Sequence, residues 1–368
     1  MNFNELMYAL ALQETKGVGV ITARKLIDVY GSAIQLFFAH QTHRIEKEVN
    51  PKLFRQLFSK ASLLKAEKEL KLAEDKGLKC LYYKDDNYPR YLLESMDAPL
   101  ILFQDGSCDV NSYDRIISIV GTRNMTNYGR GFCEQLIISL KAYQPLIVSG
   151  FAYGVDICSH LEALKHEVPT AAVLAHGYGM IYPSEHKRFY QQVKESGGFL
   201  SEFPYDEQPL RGNFLRRNRI VAGLSEATVV IESAMKGGSL VTADLANSYH
   251  KEVFALPGRS SDVYSKGCNH LFKTHKASMI TSGEDLIEQL GWKKSKTSIA
   301  SRTIQPQLFL DLEGDEKKIY ELLSTNSMYS DEMARIMELP IYKISNCIFQ
   351  LEMKGLIEVL PGKLIRRL

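Results

Sequence analysis

The sequence has few of the residue patterns that mark metalloproteins or disulfide-rich proteins. Its six cysteines contain no C-x-x-C pair, which argues against a zinc site and against a disulfide framework. The nine histidines show no H-E-x-x-H or comparable spacing, so no metal site is expected. The formal net charge is only +2. Any basic surface for nucleic acid must therefore be local rather than spread over the molecule.

Signals for export or membrane insertion are also missing. The N-terminal stretch MNFNELMYAL has neither a basic region nor a cleavage pattern of a signal peptide. No apolar run is long enough to cross a bilayer. These absences predict a cytoplasmic protein without a membrane partner.

Several nucleotide-enzyme motifs are absent as well. The sequence has no G-x-S-x-G, no P-loop and no G-x-G-x-x-G. These absences argue against a Walker-type ATPase and an ordinary NAD enzyme, and no cofactor is expected. Asp156 and Glu232 stand near glycine turns as a conceivable general-acid pair, although acids beside turns more often accept backbone hydrogen bonds. No catalytic residue is predicted.

The chain is long enough for two or three domains. Residues 1–75 read as a helical domain, because apolar residues recur there at helical spacing. Residues 76–291 alternate short apolar strands with helices, which is typical of an α/β fold with a mostly parallel, doubly wound, Rossmann-like sheet. Residues 292–312 lose this periodicity and read as a basic linker. Residues 313–368 read as three helices and a hairpin across Pro361-Gly362, the order of a winged helix.

The predicted strands of the central region are short apolar runs, as expected for strands covered on both faces. They span 116–120, 146–149, 171–175, 198–201, 227–231, 252–256 and 277–280.

Three of these strands end in glycine turns that open helices. The turns lie in IVGTRN at 119–124, IVSGFAYGVD at 147–156 and VVIESAMKGGSLVTADLA at 229–246. Helix N-termini carry unpaired N–H donors and partial positive charge, so each turn is a possible anion site. In a parallel sheet all three turns lie at the same edge, and Arg123 adds a donor suited to phosphate.

A second concentration of positive charge lies in PLRGNFLRRNRIVAGLS at 209–225. If 212–223 is helical, Arg216 and Arg219 share one face and Arg217 lies off it. Arginines mixed with Phe214 suit single-stranded nucleic acid, because cations hold the backbone and a ring stacks a base. The alternative is a salt-bridge network around a core phenylalanine.

The N-terminal segment LQETKGVGVITARKLIDVYG has the order helix, Gly-Val-Gly turn, helix. This order resembles a helix-hairpin-helix motif, in which the turn offers N–H groups to a DNA phosphate. Lys16, Gly17 and Gly19 are thus a second candidate DNA site. A helical hairpin that merely turns on its glycines is equally compatible with the pattern.

Taken together, the motifs resemble the DprA/Smf family of bacterial DNA-processing proteins. The family's signatures occur in order as VGTR at 120–123, SGFAYGVD at 149–156, VLAHG at 173–177, YPSEH at 182–186, LSEFP at 200–204, RRNRIVAGLS at 216–225, GGSLVTADLA at 237–246 and FALPG at 254–258.

The resemblance implies a Rossmann-like domain that binds single-stranded DNA, forms a homodimer and loads RecA onto incoming strands during natural transformation. Duplex DNA is a further conceivable partner. The residue pattern and the resemblance together predict a DNA pocket formed by Gly121, Thr122, Arg123, Ser149, Gly150, Phe151, Tyr153, Gly154, Arg211, Phe214, Arg216, Arg217, Asn218, Arg219, Lys236, Gly237, Gly238 and Ser239.

Two departures from the family pattern bear on this pocket. Tyr153 occupies a turn position that is often Lys or Arg, so a ring that can stack a base replaces a charge. The family's F-P-x-R-N-R stretch has Leu215 in place of proline.

The alternative function is a nucleotide-cleaving enzyme of the lysine-decarboxylase-like phosphoribohydrolase type. Its P-G-G-x-G-T turn is matched only loosely by Lys236–Ser239, with the threonine later at Thr242.

Overall fold

The computed structural model describes most of the chain. The described residues are 2–15, 17–44, 55–106, 108–293, 314–323, 328–337, 339–353, 357–360 and 364–367. Contacts divide the chain into two compact units, Met1–Lys294 and Ser295–Leu368. Lys16, the turn at Pro361-Gly362 and most of the predicted linker lie outside the described residues.

The first unit is built on a sheet of nine strands. The strands are β1 (Lys79–Tyr82), β2 (Ile101–Asp105), β3 (Ile116–Val120), β4 (Leu146–Ser149), β5 (Thr170–Val173), β6 (Gly198–Ser201), β7 (Ala227–Val230), β8 (Glu252–Ala255) and β9 (Ser278–Met279). Their order is β1-β2-β6-β5-β4-β3-β7-β8-β9, and every pair from β6 to β9 is parallel. The expectation of a mostly parallel, doubly wound sheet is confirmed.

The sheet has one strand pair that the sequence reading did not identify. β1 pairs antiparallel with β2, and β2 pairs antiparallel with β6. Residues in these strands do not form the uninterrupted apolar runs of the parallel strands, since KCLY starts with an exposed lysine and ILFQD ends in polar residues. A search for buried parallel strands therefore passes over them.

Helices cover both faces of the sheet. They comprise α1 (Phe3–Gln13), α2 (Val20–Tyr30), α3 (Ala33–Gln41), α4 (Lys60–Asp75), α5 (Arg90–Leu93), α6 (Asn127–Leu140), α7 (Val155–Lys165), α8 (Tyr190–Ser196), α9 (Arg211–Leu224), α10 (Gly238–Ser248), α11 (Lys266–Lys273) and α12 (Gly283–Gln289). Over the described part of the chain, no helix combines the length and the hydropathy needed to cross a bilayer.

Alternation along β3 shows why both faces are apolar. Ile116 and Val120 join the hydrophobic cluster that includes residues of α9 and α10. Ile117 and Ile119 join a second cluster with residues of α6, α7 and α12. Because successive side chains in a strand point to opposite faces, a strand covered on both sides reads as one continuous apolar run.

The N-terminal helices share the first of these clusters, which contains Leu6 and Leu10 of α1 together with Ile101 of β2. Polar contacts reinforce the packing. The Tyr82 hydroxyl donates to Glu5 at 2.7 Å, and the backbone N–H of Ile101 donates to Gln13 at 3.1 Å. The division at residue 75 into two domains stays a prediction, but the two regions pack as parts of one unit.

The second unit has its own small core. It contains α13 (Gly314–Leu322), β10 (Met328–Tyr329), α14 (Ser330–Met337), α15 (Ile341–Met353), β11 (Ile357–Leu360) and β12 (Leu364–Arg367). The three strands form an antiparallel sheet in the order β10-β12-β11. The order of three helices and a terminal hairpin confirms the winged-helix prediction.

Candidate nucleic-acid interface

The sheet topology creates a crevice at the carboxyl end of β3. The chain runs from β3 through β4 and β5 to β6 on one side, and then crosses to β7 on the other side. Such a switch point separates the loops that follow neighbouring strands and leaves room for a ligand. A cleft of about 640 Å³ lies here.

Most of the pocket residues predicted from sequence line this cleft. They are Gly121, Thr122, Arg123, Gly150, Tyr153, Arg211, Phe214, Arg217, Asn218, Lys236, Gly237, Gly238 and Ser239. They come from the turns after β3, β4 and β7 and from the first turns of α9, so the tertiary structure brings together segments more than a hundred residues apart.

Backbone hydrogen bonds lock the turns after β3, β4 and β7 to one another. The N–H of Thr122 donates to the carbonyl of Glu232 at 2.7 Å, and the N–H of Val155 donates to the carbonyl of Thr122 at 3.1 Å. Gly154 has φ 78°, and a Cβ there would collide with that same Thr122 carbonyl. Only glycine allows this approach, so the interlocked turns explain one of the sequence glycines.

Gly150 lies against a buried ion pair at the floor of the cleft. A Cβ at Gly150 would collide with the carboxylate of Asp156 and the guanidinium of Arg217. The Arg217 guanidinium lies 3.8 Å from the Asp156 carboxylate and donates to the carbonyl of Val173. Burial raises the pKa of Asp156, and the charge of Arg217 opposes that rise; burial also lowers the pKa of Arg217. Arg217 therefore has a fixed partner beneath the surface that a ligand would touch.

Exposed Arg123 and half-buried Phe214 form a second pair at the cleft. The Arg123 guanidinium carbon lies 5.1 Å from the centroid of the Phe214 ring, within cation–π range. Phe214 stands in the first turn of α9, and Arg123 stands in the turn after β3. The arrangement places a guanidinium, which can donate hydrogen bonds to a phosphate, beside an apolar ring at the cleft.

Three cations at the cleft form no salt bridge within the part of the chain that the structure describes, although Arg123 lies near enough to Asp156 to oppose the rise in the pKa of its carboxyl group. Arg123, Arg211 and Lys236 all line the cleft and are exposed, and none forms a salt bridge with a described residue. Exposed cations without a salt bridge around a concave surface attract anions, and three of them along one cleft suit a polyanion.

The turn before α10 adds backbone donors near Lys236. Gly237 is the N-cap of α10, and no side chain caps it. A Cβ at Gly238 would meet no atom within 4 Å, so its backbone is open to a ligand. Ser239 is buried, and its hydroxyl donates to the Ser233 hydroxyl at 2.8 Å. The helix N-terminus thus faces the cleft with its own serine engaged in holding the turn.

Two predicted arginines lie on the other face of α9. As their spacing predicts, Arg216 and Arg219 share a face, and both reach Glu202, a fully buried carboxylate. Arg219 is itself buried and also donates to the carbonyl of Asp97. Neither guanidinium lines the cleft. The alternative reading of this segment, a salt-bridge network, therefore applies to Arg216 and Arg219. A role for them in DNA binding stays a prediction.

Three further predicted residues support the cleft from behind. The Ser149 hydroxyl is buried and donates to the carbonyl of Ile119 at 2.6 Å. Phe151 is buried against Phe199, with ring centroids 5.2 Å apart. Gly154 is the N-cap of α7. All three shape the turn after β4 without lining the cleft.

Sequence reasoning did not place Tyr182 at the site. It lies in the long loop after β5 and lines the cleft, with its ring edge-on to Phe214 at 5.8 Å. The parallel pairing of β5 with β4 places the loop after β5 at the same sheet edge, but it does not say which residue of that loop reaches the cleft.

The remaining candidates are otherwise engaged or lie elsewhere. Glu232 accepts hydrogen bonds from the backbone and hydroxyl of Thr126, and so holds the N-cap residue of α6 in place. Gly17 and Gly19 connect α1 and α2 and do not line the cleft, while Lys16 lies outside the described residues.

One carboxylate and histidine cluster occurs among the described residues away from the cleft. The ligand atoms of Glu134, Glu162 and His166 lie within 4.8 Å of one another. The ammonium of Lys165 is 2.5 Å from Glu134 and 3.4 Å from Glu162. A lysine between the two carboxylates accounts for their proximity without a metal ion.

Comparison with known families decides the relationship of this chain. The family model described as DNA recombination-mediator protein A matches residues 79–291, which is more than half of the chain. The chain belongs to the DprA family. A second model, the DprA winged helix domain, matches residues 305–363.

Curated DprA-family relatives extend the match along the chain. Protein Smf of Synechocystis sp. is 30% identical over 395 residues, covering 99% of both chains. The DNA processing protein DprA of Streptococcus pneumoniae is 38% identical over 205 residues, covering 56% of this chain and 72% of that protein.

Two solved DprA structures share the fold. The X-ray structure from Streptococcus pneumoniae has a TM-score of 0.63 at 29% identity, covering 77% of this chain and 97% of that chain. The structure from Helicobacter pylori has a TM-score of 0.53 at 31% identity, covering 58% of this chain and 95% of that chain. The latter was described for its unique single-stranded DNA binding mode.

Proposed function

We propose that the cleft binds single-stranded DNA, that the protein protects incoming strands, and that it loads a RecA recombinase onto them during natural transformation. The observation that carries the proposal is a set of three exposed cations that form no salt bridge with a described residue, Arg123, Arg211 and Lys236, in the cleft that also holds the Phe214 ring. A chain of phosphates with unstacked bases matches cations and rings placed together.

The same geometry predicts how the strand is held. The open turn at Gly238, at the N-terminus of α10, can present N–H groups to a phosphate without reading base identity. Binding should therefore be largely indifferent to sequence and should weaken steeply with salt, because each neutralised phosphate releases counterions.

The relatives support the proposal at the level of the family. Two of them are named as DNA processing proteins, and the Helicobacter pylori relative was described as binding single-stranded DNA. Homodimer formation and recombinase loading are part of the proposal, which assigns no surface to either. The Gly17–Gly19 turn and the winged helix are conceivable contacts for duplex DNA.

The test is a salt series of binding measurements on a labelled oligothymidylate and a matched duplex. The wild-type protein should prefer the single strand. Arg123→Ala should weaken binding to the strand and lower the slope of log K against log salt by about 0.7, the value for one lost phosphate contact. Fluorescence anisotropy gives both quantities.

Arg90→Ala is the matched control. Arg90 is exposed but donates to the carbonyl of Tyr113 at 2.9 Å, near the amino end of β3, and it does not line the cleft. Its replacement should leave the slope unchanged. Equal affinity for both DNAs, unaltered by Arg123→Ala, would contradict the proposal. Hydrolysis of AMP by the purified protein would instead favour the nucleotide-cleaving alternative.

A further inference from the structure

Two tyrosines at the cleft are exposed although their positions are fixed. Tyr153 and Tyr182 line the same cleft as Arg123, and 39% and 37% of their surfaces are accessible. Neither side chain is a cation, so neither contributes to phosphate binding by charge. An exposed ring held in a defined place next to a polyanion site suggests contact with a base.

The backbone at Tyr182 is held by a buried histidine. The N–H of Tyr182 donates to Nε2 of His176 at 3.2 Å, and Nδ1 of His176 lies 2.7 Å from the carbonyl of Gly177. A neutral imidazole that donates from Nδ1 leaves Nε2 free to accept, and burial lowers the pKa of His176, which favours this neutral form. The loop that carries the Tyr182 ring is therefore anchored.

The side chain of Tyr153 is held at two points. Its hydroxyl donates to Oε2 of Glu185 at 2.8 Å. Its ring packs edge-on against the ring of His186, with centroids 5.1 Å apart. A ring restrained before the ligand arrives loses little rotamer freedom on binding, which favours stacking as its role.

We infer that Tyr153 and Tyr182 form a base-stacking rim, which holds unpaired bases while Arg123 and its neighbours hold the phosphates. The inference rests on the proposed function of the cleft and deepens it by separating base contacts from phosphate contacts. Every base has a π-face, so the rim serves strands of any sequence. It also gives a physical role to Tyr153, which occupies a turn position where a basic residue is common in the family.

The test uses two probes that carry equal numbers of phosphates. One is a labelled oligothymidylate, and the other is an abasic oligomer of the same length. Tyr182→Leu and Tyr153→Leu should each weaken binding to oligothymidylate by about tenfold, because a stacked base is lost. Both variants should bind the abasic oligomer as the wild type does, and the salt slope should not change.

Tyr128→Leu is the control, since Tyr128 is also exposed but does not line this cleft. It should leave both affinities unchanged. Tyr182→Phe keeps the ring and should retain binding to oligothymidylate.

The outcomes separate the inference from the proposed function. Unchanged binding to oligothymidylate in both leucine variants, or an equal loss on both probes, would overturn the rim. Loss of binding to oligothymidylate in Tyr182→Phe would also overturn the rim, because this variant keeps the aromatic ring that would stack on a base. A wild-type protein that binds neither oligomer would overturn the proposed function and the rim with it.

Discussion

A single buried residue, His160, connects the sheet to the turn that lines the cleft. It is fully buried in α7, with Nε2 2.6 Å from the carbonyl of Gly150 and Nδ1 2.6 Å from the hydroxyl of Thr170. Burial lowers its pKa from 6.5 to about 4. The neutral ring thus fixes the carbonyl of Gly150, which lines the cleft, and protonation would place an unpaired charge in the core.

Stability should therefore fall in mild acid. The unfolded chain takes up a proton at His160 near pH 6.5, whereas the folded protein does so only near pH 4, so the unfolded state is favoured as the pH falls between these values. The expected contribution is a loss of about 3 kcal/mol in the free energy of unfolding between pH 7 and pH 4. Urea unfolding at a series of pH values measures it.

His160→Gln isolates this contribution from other titrating groups. Glutamine does not titrate, so the stability difference between wild type and variant should narrow toward pH 4. If the free energy of unfolding changed with pH in the same way in both proteins, the pKa of His160 would not differ between the folded and unfolded states, contrary to this prediction.

At the scale of an element, α9 separates its arginines between two environments. Arg217 points to Asp156 at the floor of the cleft, while Arg216 and Arg219 reach Glu202 on another face. Glu202 is fully buried, so its charge must be compensated. The helix therefore serves both the ligand site and the packing against the rest of the unit.

Substitution should distinguish Arg219 from Arg216. Arg219→Met removes the buried partner of Glu202 and should lower the free energy of unfolding by about 3 kcal/mol. The side chain of Arg216 is 42% exposed, so Arg216→Met should cost no more than about 1 kcal/mol. Denaturant titration gives both values. If Arg219 instead held a phosphate, its replacement would lower the salt slope of DNA binding, which this arrangement does not predict.

At the scale of the whole molecule, the first compact unit extends from the N-terminal helices to α12. Residues of α1 and β2 share one hydrophobic cluster, and Gln13 of α1 donates to the backbone carbonyl of Glu202 at 3.3 Å. The winged-helix unit has a separate core. The cleft is built wholly from the first unit.

A fragment of residues 1–293 should fold alone and bind single-stranded DNA like the full chain. A fragment of residues 76–293 should unfold at a lower temperature, because removal of α1 to α4 exposes part of the shared cluster to water. Thermal unfolding followed by circular dichroism compares the two. Equal transition temperatures would show that the helices of residues 1–75 contribute little to the stability of the sheet.

Local patterns explain why much of the site could be predicted. Glycine turns after apolar runs mark strand ends, and parallel strands bring their carboxyl ends to one edge, so Arg123, Gly150 and Gly238 were expected together. Tyr182 was not expected there, because no local pattern says which residue of a long loop returns to the cleft. β1 and β2 were missed because their polar residues interrupt the apolar signal.

The DprA-type order of motifs, the parallel sheet, the winged-helix unit and the three glycine turns could be predicted from the sequence, since each depends on periodicity or on spacing along the chain. Which charges face the cleft depends on the tertiary structure. Arg123, Arg211 and Lys236 form no salt bridge with a described residue, whereas Arg217 and Arg219 pair with buried carboxylates of other segments. Charge pairing depends on neighbours in space, and four arginines within one short segment look alike until those neighbours are known.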